Sequence, residues 1–187
     1  VFEASLLSPD GKLLDSKRIN VGLRTVNLKR SDVFKNGDKG EFAFYVNGRK
    51  IYIKGTNWVP LDALHSRDPQ HLQKTLEMAA DLNCNMLRCW GGNVYESDAF
   101  YDFCDKNGIL IWQDFSLACT TPPQDDDFAK AMEIEARSVV ERLRHHPSLA
   151  LWAGNNENDS SFYWLFNSNR LNIDPSKERI SRKVLPE

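Results

Sequence analysis

LALWAGNNEN, residues 149–158, is an apolar run that ends abruptly in amides and an acid. His146-Pro147 precedes it, and so short an apolar run between such boundaries is typical of a buried β-strand. Asn155, Asn156 and Glu157 then follow the carboxyl end of that strand, where parallel α/β sheets place ligands and catalytic residues. Glu157 is therefore a candidate catalytic residue, and the structural alternative is a first-turn acid that stabilises the next helix.

The residues before this stretch repeat the same strand-to-helix pattern. Short strands are predicted around residues 51–58, 85–90 and 109–112, and they are followed by helices that begin near Asp68, Ser97 and Asp125. A fourth helix is predicted over residues 160–167. Such alternation implies a parallel sheet with right-handed crossovers, either half of an eight-unit barrel or most of an open sheet. No glycine-rich phosphate-binding motif follows any strand, which argues against a nucleotide-binding fold.

The first 36 residues indicate β-structure instead. Residues 1–7 are rich in apolar side chains, a turn follows at Ser8-Pro9-Asp10-Gly11, and apolar residues alternate over residues 19–28 with an interruption at Gly22. A β-hairpin is then predicted around Asn47-Gly48, because this pair is favoured in type I′ turns. We therefore divide the chain into residues 1–36 and an α/β domain at residues 37–187.

Composition excludes several classes of function. The 187 residues are 41% hydrophobic, enough for a sizeable core, and the formal net charge is -2. The sequence has no basic stripe for nucleic acid and no apolar stretch long enough to cross a membrane. No signal peptide is visible, and because the chain opens at Val1 in mid-pattern, we expect a processed product or an excised piece.

The sequence predicts neither a metal site nor a cofactor. The cysteines Cys84, Cys89, Cys104 and Cys119 lack the paired spacing of zinc ligands, so buried free thiols are the expected state. The four histidines fall in loops and helices, away from the strand ends.

Polar and aromatic side chains end all four predicted strands. They are Asn57, Trp58, Arg88, Trp90, Asp114, Asn156 and Glu157. Indoles stack on sugar rings, amides and acids bind sugar hydroxyls, and a pair of carboxylates is the usual requirement for glycoside hydrolysis. Each residue also has a structural interpretation: Trp58 and Trp112 can be core residues, and Arg88 can be the ion-pair partner of Asp114.

Several segments resemble family 2 glycoside hydrolases, most closely their β-mannosidase branch. The segments are VGLRT at residues 21–25, IKGTNW at 53–58, LRCWGG at 87–92, WQDF at 112–115 and GNNEN at 154–158. The resemblance implies an α/β fold, the first half of a (β/α)8 TIM barrel, preceded by the end of an immunoglobulin-like β-sandwich at residues 1–36. It further implies a retaining O-glycosyl hydrolase that cleaves terminal β-linked mannosides and needs no cofactor.

The resemblance also implies roles for individual residues. Glu157 matches the general acid/base, and Asn156 matches the residue that binds the 2-hydroxyl of the sugar. Arg88, Trp90 and Asp114 match residues that line the subsite of the terminal sugar. Asn93 departs from the pattern, because many β-mannosidases have a third glycine there, and this loosens the assignment of the sugar.

The family nucleophile is a glutamate on a later strand, and no such residue is visible here. Glu133, Glu135 and Glu178 do not lie at predicted strand ends. We therefore expect an inactive fragment whose barrel is completed by the same polypeptide or by a partner chain. The alternatives are an exo-β-glucosaminidase or endo-β-mannosidase of the same family, a non-catalytic carbohydrate-binding half barrel, and an open-sheet enzyme of another class. The family also suggests a periplasmic, secreted or lysosomal location.

Overall fold

The computed structural model describes residues 1–32, 39–164 and 174–186, which form two compact units, Val1–Lys50 and Ile51–Glu187. The first unit is made of antiparallel strands. Strands β1 (Phe2–Leu7) and β2 (Leu13–Ile19) form a hairpin. Strands β3 (Val26–Arg30), β4 (Phe42–Val46) and β5 (Arg49–Ile51) form a second sheet in that order.

The predicted Asn-Gly hairpin is confirmed, whereas the predicted strand over residues 19–28 is wrong. Asn47 and Gly48 have φ of 50° and 77°, the positive values that a type I′ turn requires. Strand β2 ends at Ile19, opposite Phe2, and β3 begins at Val26, opposite Val46. The residues between them have no regular structure, because the strands lie where β1 and β4 supply pairing partners.

The second unit alternates strands and helices, as predicted. Its elements are β6 (Gly55–Trp58), α1 (Asp68–Asp81), β7 (Met86–Cys89), α2 (Asp98–Asn107), β8 (Leu110–Asp114), α3 (Asp126–Leu143), β9 (Leu149–Ala153) and α4 (Asn158–Trp164). The strands form one parallel sheet in the order β6-β7-β8-β9. Helix α4 begins two residues before the predicted start, and its predicted end at 165–167 lies outside the described residues.

Local signals fix the helix ends. The Asp125 side chain accepts a hydrogen bond from the Phe128 N–H at 2.8 Å, which caps the amino end of α3. Gly108 ends α2 with φ of 69°, a conformation that costs glycine little. In the described part of the chain, no helix has both the length and the apolar character of a membrane span.

The main core lies between the sheet and its helices. Leu87, Phe100, Tyr101, Ile111 and Leu143 are fully buried in it, and each such side chain contributes about 1.5–3 kcal/mol. The packing holds the four strands in a fixed register, which brings their carboxyl ends together at one edge of the sheet.

The four cysteines are free thiols, as predicted, but only two of them are buried. Burial raises the pKa of Cys89 and Cys104 above the ordinary thiol value. Cys84 and Cys119 are half-buried, so the expectation of burial is wrong for these two, which lie in connections rather than in core-facing elements.

Candidate active site

Arg88, on β7, contacts residues at or near the carboxyl ends of the other three strands. From β7, its Nη2 donates to Asp114 Oδ2 at the end of β8 and to Asn156 Oδ1 after β9, both at 2.7 Å. Its Nη1 donates to Asn57 Oδ1 on β6 at 3.4 Å, and its guanidinium carbon lies 5.3 Å from the centre of the Trp112 ring. One guanidinium thereby fixes the spacing of the carboxyl ends of all four strands, which form the edge of the sheet described here.

Asp114 is buried under this guanidinium. Its side chain has no exposed surface, and it also accepts a hydrogen bond from the Gly91 N–H at 3.2 Å. Burial raises the pKa of Asp114, although Arg88 and the Gly91 N–H act in the opposite direction. The structural and the functional interpretation of Arg88 are thus compatible. Arg88 is the ion-pair partner of Asp114, and it also contacts Asn156 at the carboxyl ends of the strands.

The segment after β8 pairs with the segment after β9. Ala118 forms a parallel bridge with Asn156, the Asn156 N–H donates to the Leu117 carbonyl, and the Cys119 N–H donates to the Asn156 carbonyl, both at 2.8 Å. The sheet pairing therefore continues beyond the two strands and carries Asn156 to Arg88.

Glu157 is the exposed carboxylate of this edge. Its φ is 57°, in the left-handed region, and its carbonyl accepts a hydrogen bond from the Ser161 N–H as α4 begins. Its Oε2 lies 3.6 Å from the sulfur of Cys119. Glu157 thus lies next to Asn156, with its carboxylate open to solvent.

Trp90 is shaped by the two glycines that follow it. A Cβ on Gly92 would lie 2.1 Å from the Trp90 ring, and a Cβ on Gly91 would lie 2.6 Å from the Phe115 carbonyl oxygen. The absence of side chains at these positions lets the half-buried indole fold back onto its own turn and lets that turn approach the connection after β8.

A buried carboxylate ties the same turn to β6. Glu96 Oε1 accepts hydrogen bonds from Trp58 Nε1 at 2.9 Å and from Asn93 Nδ2 at 3.2 Å. Trp58 is buried in the core, so its structural interpretation is the correct one. Asn93, the departure from the resemblance, anchors the turn that carries Trp90 and does not reach Arg88 in the described contacts.

The structure brings together Arg88, Asp114 and Asn156, with Glu157 beside them. The other carboxylates considered lie elsewhere. Glu133 pairs with Lys130 and Arg137 on α3, and Glu135 accepts from Tyr95. Glu178 is buried, and its carboxylate accepts hydrogen bonds from the N–H groups of Ile180 and Ser181. Cys119 and Glu96 were missed from sequence, because neither ends a strand.

Other clusters lie apart from this edge. Among the described residues, Asp102, Asp105 and His146 are close enough together to hold a cation, but they lie near the amino ends of β8 and β9. A cavity of about 510 Å³ lies between α3 and residues 179–186, and none of the edge residues lines it. Neither feature is part of the candidate site.

Comparison with known proteins places this arrangement in a family. Residues 39–175 match the family described as glycosyl hydrolases family 2, TIM barrel domain. The parallel sheet with its strand-end cluster is therefore part of a (β/α)8 barrel, and the chain belongs to glycosyl hydrolase family 2.

Individual relatives point to one branch of that family. The chain is 42% identical over 153 residues to a β-mannosidase of Capra hircus, covering 81% of this chain and 17% of that protein. It is 40% identical over 158 residues to β-mannosidase B of Thermothelomyces thermophilus, covering 83% and 18%. The chain thus spans less than a fifth of the length of these relatives.

Solved structures agree on the fold. The β-D-mannosidase of Dictyoglomus thermophilum superposes with a TM-score of 0.80 at 37% identity, covering 97% of this chain and 22% of that one. A β-glucuronidase of Parabacteroides merdae gives a TM-score of 0.66 at 22% identity, covering 84% and 18%, and shows the shared fold alone.

Proposed function

We propose that the chain is part of a retaining glycoside hydrolase that removes terminal β-linked mannose, as a β-mannosidase does. The observation that supports this proposal is the guanidinium of Arg88, which holds Asp114 and Asn156 at 2.7 Å each beside the solvent-facing Glu157. The relatives are named as β-mannosidases, and this supports mannose as the sugar. The residues of the site are groups that can bind the sugar and protonate the glycosidic oxygen.

In this proposal Glu157 is the general acid and base. In the first step its carboxyl group gives a proton to the glycosidic oxygen while a nucleophilic carboxylate attacks the anomeric carbon. The bond to the leaving group breaks, and a glycosyl-enzyme ester forms. In the second step Glu157 takes a proton from water, the water oxygen attacks the same carbon, and the nucleophile is released.

The neighbouring residues bind the terminal sugar. Asn156 contacts the 2-hydroxyl, and its amide is oriented because its Oδ1 already accepts from Arg88. Arg88 and Asp114 line the subsite as a fixed charge pair, and the indole of Trp90 offers a flat apolar surface to the sugar ring.

The nucleophile is supplied by residues outside these four β/α units. A retaining enzyme needs its second carboxylate about 5–5.5 Å from the first. Asp114 accepts hydrogen bonds from Arg88 and from the Gly91 N–H. We therefore assign it to sugar binding rather than to attack on the anomeric carbon. The four units are then half of a barrel that the rest of the same polypeptide or a partner chain completes, and residues 1–36 close a preceding immunoglobulin-like domain.

The proposal is tested by Glu157→Ala in the enzyme with a complete barrel. With an aryl β-mannoside, we expect kcat/KM to fall by about 10²–10⁴-fold, the usual contribution of a general acid. Sodium azide should restore turnover and yield β-mannosyl azide, since the anion attacks the glycosyl-enzyme without a general base. Glu141→Ala, at an exposed position on α3, is the matched control.

The same assay separates the alternatives. Unchanged turnover in Glu157→Ala would refute the proposed role. Faster cleavage of an aryl β-glucosaminide than of the mannoside would favour the glucosaminidase alternative. A protein that binds mannosides, fails to cleave them and keeps its affinity in Glu157→Gln would be a carbohydrate-binding module.

A further inference from the structure

A continuous chain of polar contacts runs from the buried ion pair to Glu157. Asp114 accepts from Arg88 at 2.7 Å, and Arg88 donates to Asn156 Oδ1 at 2.7 Å. Asn156 Nδ2 donates to Cys119 Sγ at 3.4 Å, and Cys119 Sγ lies 3.6 Å from Glu157 Oε2. Through these two contacts, the Cys119 side chain connects the amide of Asn156 with the carboxylate of the proposed general acid.

The direction of these hydrogen bonds follows from the first of them. The guanidinium can only donate, so the amide oxygen of Asn156 accepts and its nitrogen must donate to the sulfur. The sulfur accepts from that amide through one lone pair, and its S–H remains available to donate. The acceptor within reach is Oε2 of Glu157.

The backbone holds both partners in an uncommon conformation. Cys119 and Glu157 have φ of 52° and 57°, values that residues with a Cβ adopt infrequently. Two backbone hydrogen bonds of 2.8 Å across the extended pairing keep them there, from Cys119 to Asn156 and from Asn156 to Leu117. Left-handed residues outside glycine cluster at sites where geometry matters, and here they turn two side chains toward each other.

We propose that Cys119 is a positioning residue for the general acid/base, with its S–H holding Oε2 of Glu157. This inference rests on the proposed function. The thiol occupies one carboxylate oxygen, which leaves the other oxygen, Oε1, to carry the exchangeable proton of Glu157. The thiol forms no bond to the substrate and undergoes no redox change.

The proposal predicts a specific effect for Cys119→Ala in the enzyme with a complete barrel. Without the donor, the Glu157 side chain loses its fixed orientation, and we expect kcat/KM for an aryl β-mannoside to fall about 10-fold. The loss should appear in kcat rather than in KM, because the thiol orients the general acid and does not contact the sugar. Cys119→Ser, which keeps a donor, should restore kcat.

Two controls distinguish positioning from a structural role. Cys84→Ala removes the other half-buried thiol, which lies before β7 at the opposite end of the strand, and it should leave kinetics unchanged. In a double-mutant cycle, Cys119→Ala should cost little in the Glu157→Gln background, because the thiol acts through the carboxyl group.

Three results would overturn the proposal. Equal kcat/KM in Cys119→Ala and Cys84→Ala would show that the Cys119 thiol does not position Glu157. A full additional loss in the Glu157→Gln background would mean that the thiol acts on the substrate or on the fold. Failure of Cys119→Ser to restore activity, with an unchanged melting temperature, would exclude hydrogen-bond donation. If Glu157→Gln itself has no effect, the proposed function fails first, and the two failures are thereby distinguishable.

Discussion

Arg88 shows how one residue combines a structural and a functional role. Its guanidinium satisfies a fully buried carboxylate and, through the same nitrogen, orients an amide of the proposed sugar site. A planar group with five donors can serve both acceptors, whereas an ammonium is a compact point charge on a flexible stem. The sequence placed Arg88 at a strand end but could not show that both partners share it.

We therefore expect Arg88→Lys to be harmful although it conserves charge. A lysine offers a single nitrogen, so it cannot also reproduce the contacts of Nε with Asp114 Oδ1 at 3.3 Å and of Nη1 with Asn57 at 3.4 Å. We expect kcat/KM for an aryl β-mannoside to fall at least about 10-fold. Arg137→Lys, in the exposed pair with Glu133 on α3, is the matched control and should be neutral. Equal activity of the two variants would contradict this account of Arg88.

The place of Glu157 after a strand was predictable from sequence, whereas its backbone conformation and its thiol partner were not. An apolar run that ends in Gly-Asn-Asn-Glu marks a strand end by composition alone. A left-handed φ at a glutamate has no sequence signal, because it is imposed by the pairing of Asn156 with Leu117. Cys119 lies five residues beyond Asp114, in a connection that strand and helix periodicity do not describe.

At the scale of elements, the parallel half was predicted better than the antiparallel half. Short apolar runs, helix caps and Gly108 gave each β/α unit its own local boundaries. The first unit depends on pairing between distant segments, such as Phe2 with Ile19, and local alternation cannot reveal which partner a strand will find. The misplaced strand over residues 19–28 follows from this difference.

The turn after β7 offers a test with two neighbouring glycines. In Gly91→Ala the new Cβ meets the carbonyl oxygens of Phe115 and Leu117 at 2.6 and 2.8 Å, and backbone cannot easily move. We expect a loss of stability of about 1–3 kcal/mol, measured by urea unfolding. In Gly92→Ala the Cβ meets the Trp90 ring instead, so we expect the indole to shift and KM to rise with little loss of stability. The opposite ranking of the two stabilities would refute this assignment.

Asp105 joins helix α2 to the residues that precede β9. Asp105 accepts from His146 Nδ1 at 2.7 Å and from the Ser148 N–H at 2.9 Å. Burial acts to raise the pKa of Asp105, but these hydrogen bonds outweigh burial, and the net pKa lies below the ordinary value. Ionised Asp105 thus stabilises the folded protein at pH values above its unfolded-state pKa of about 3.9. This stabilisation is lost as the pH falls through the lower folded-state pKa.

Asp105→Asn should therefore destabilise the protein by about 1–3 kcal/mol at pH 7, the cost of disturbing buried hydrogen bonds. The difference in free energy of unfolding between the variant and the native protein should become smaller below about pH 4. There Asp105 becomes protonated in the folded and in the unfolded state. Urea unfolding at pH 7 and pH 3 measures both free energies, with Asp81→Asn, exposed at the end of α1, as the control. A difference that is constant between the two pH values would contradict the linkage.

At the scale of the molecule, the sheet has two open edges in the part of the chain that the structure describes. Strand β6 pairs with β7 alone, and β9 pairs with β8 alone within the named strands. A closed barrel leaves no such edges. Sequence periodicity could count four β/α units, but the choice between an open sheet and a barrel came from family membership, because local patterns do not encode closure.

The 187-residue chain expressed alone lacks a nucleophile for the proposed reaction. Its strand ends carry Asp114, which is fully buried against Arg88, and Glu157, which would act as acid without a nucleophile. General acid catalysis alone does not complete a retaining reaction, because no glycosyl-enzyme ester can form. We therefore expect no turnover of an aryl β-mannoside, even when circular dichroism shows a folded chain. A polypeptide with all eight β/α units is the positive control, and turnover by the short chain that disappears in Glu157→Gln would show that the nucleophile lies within these residues.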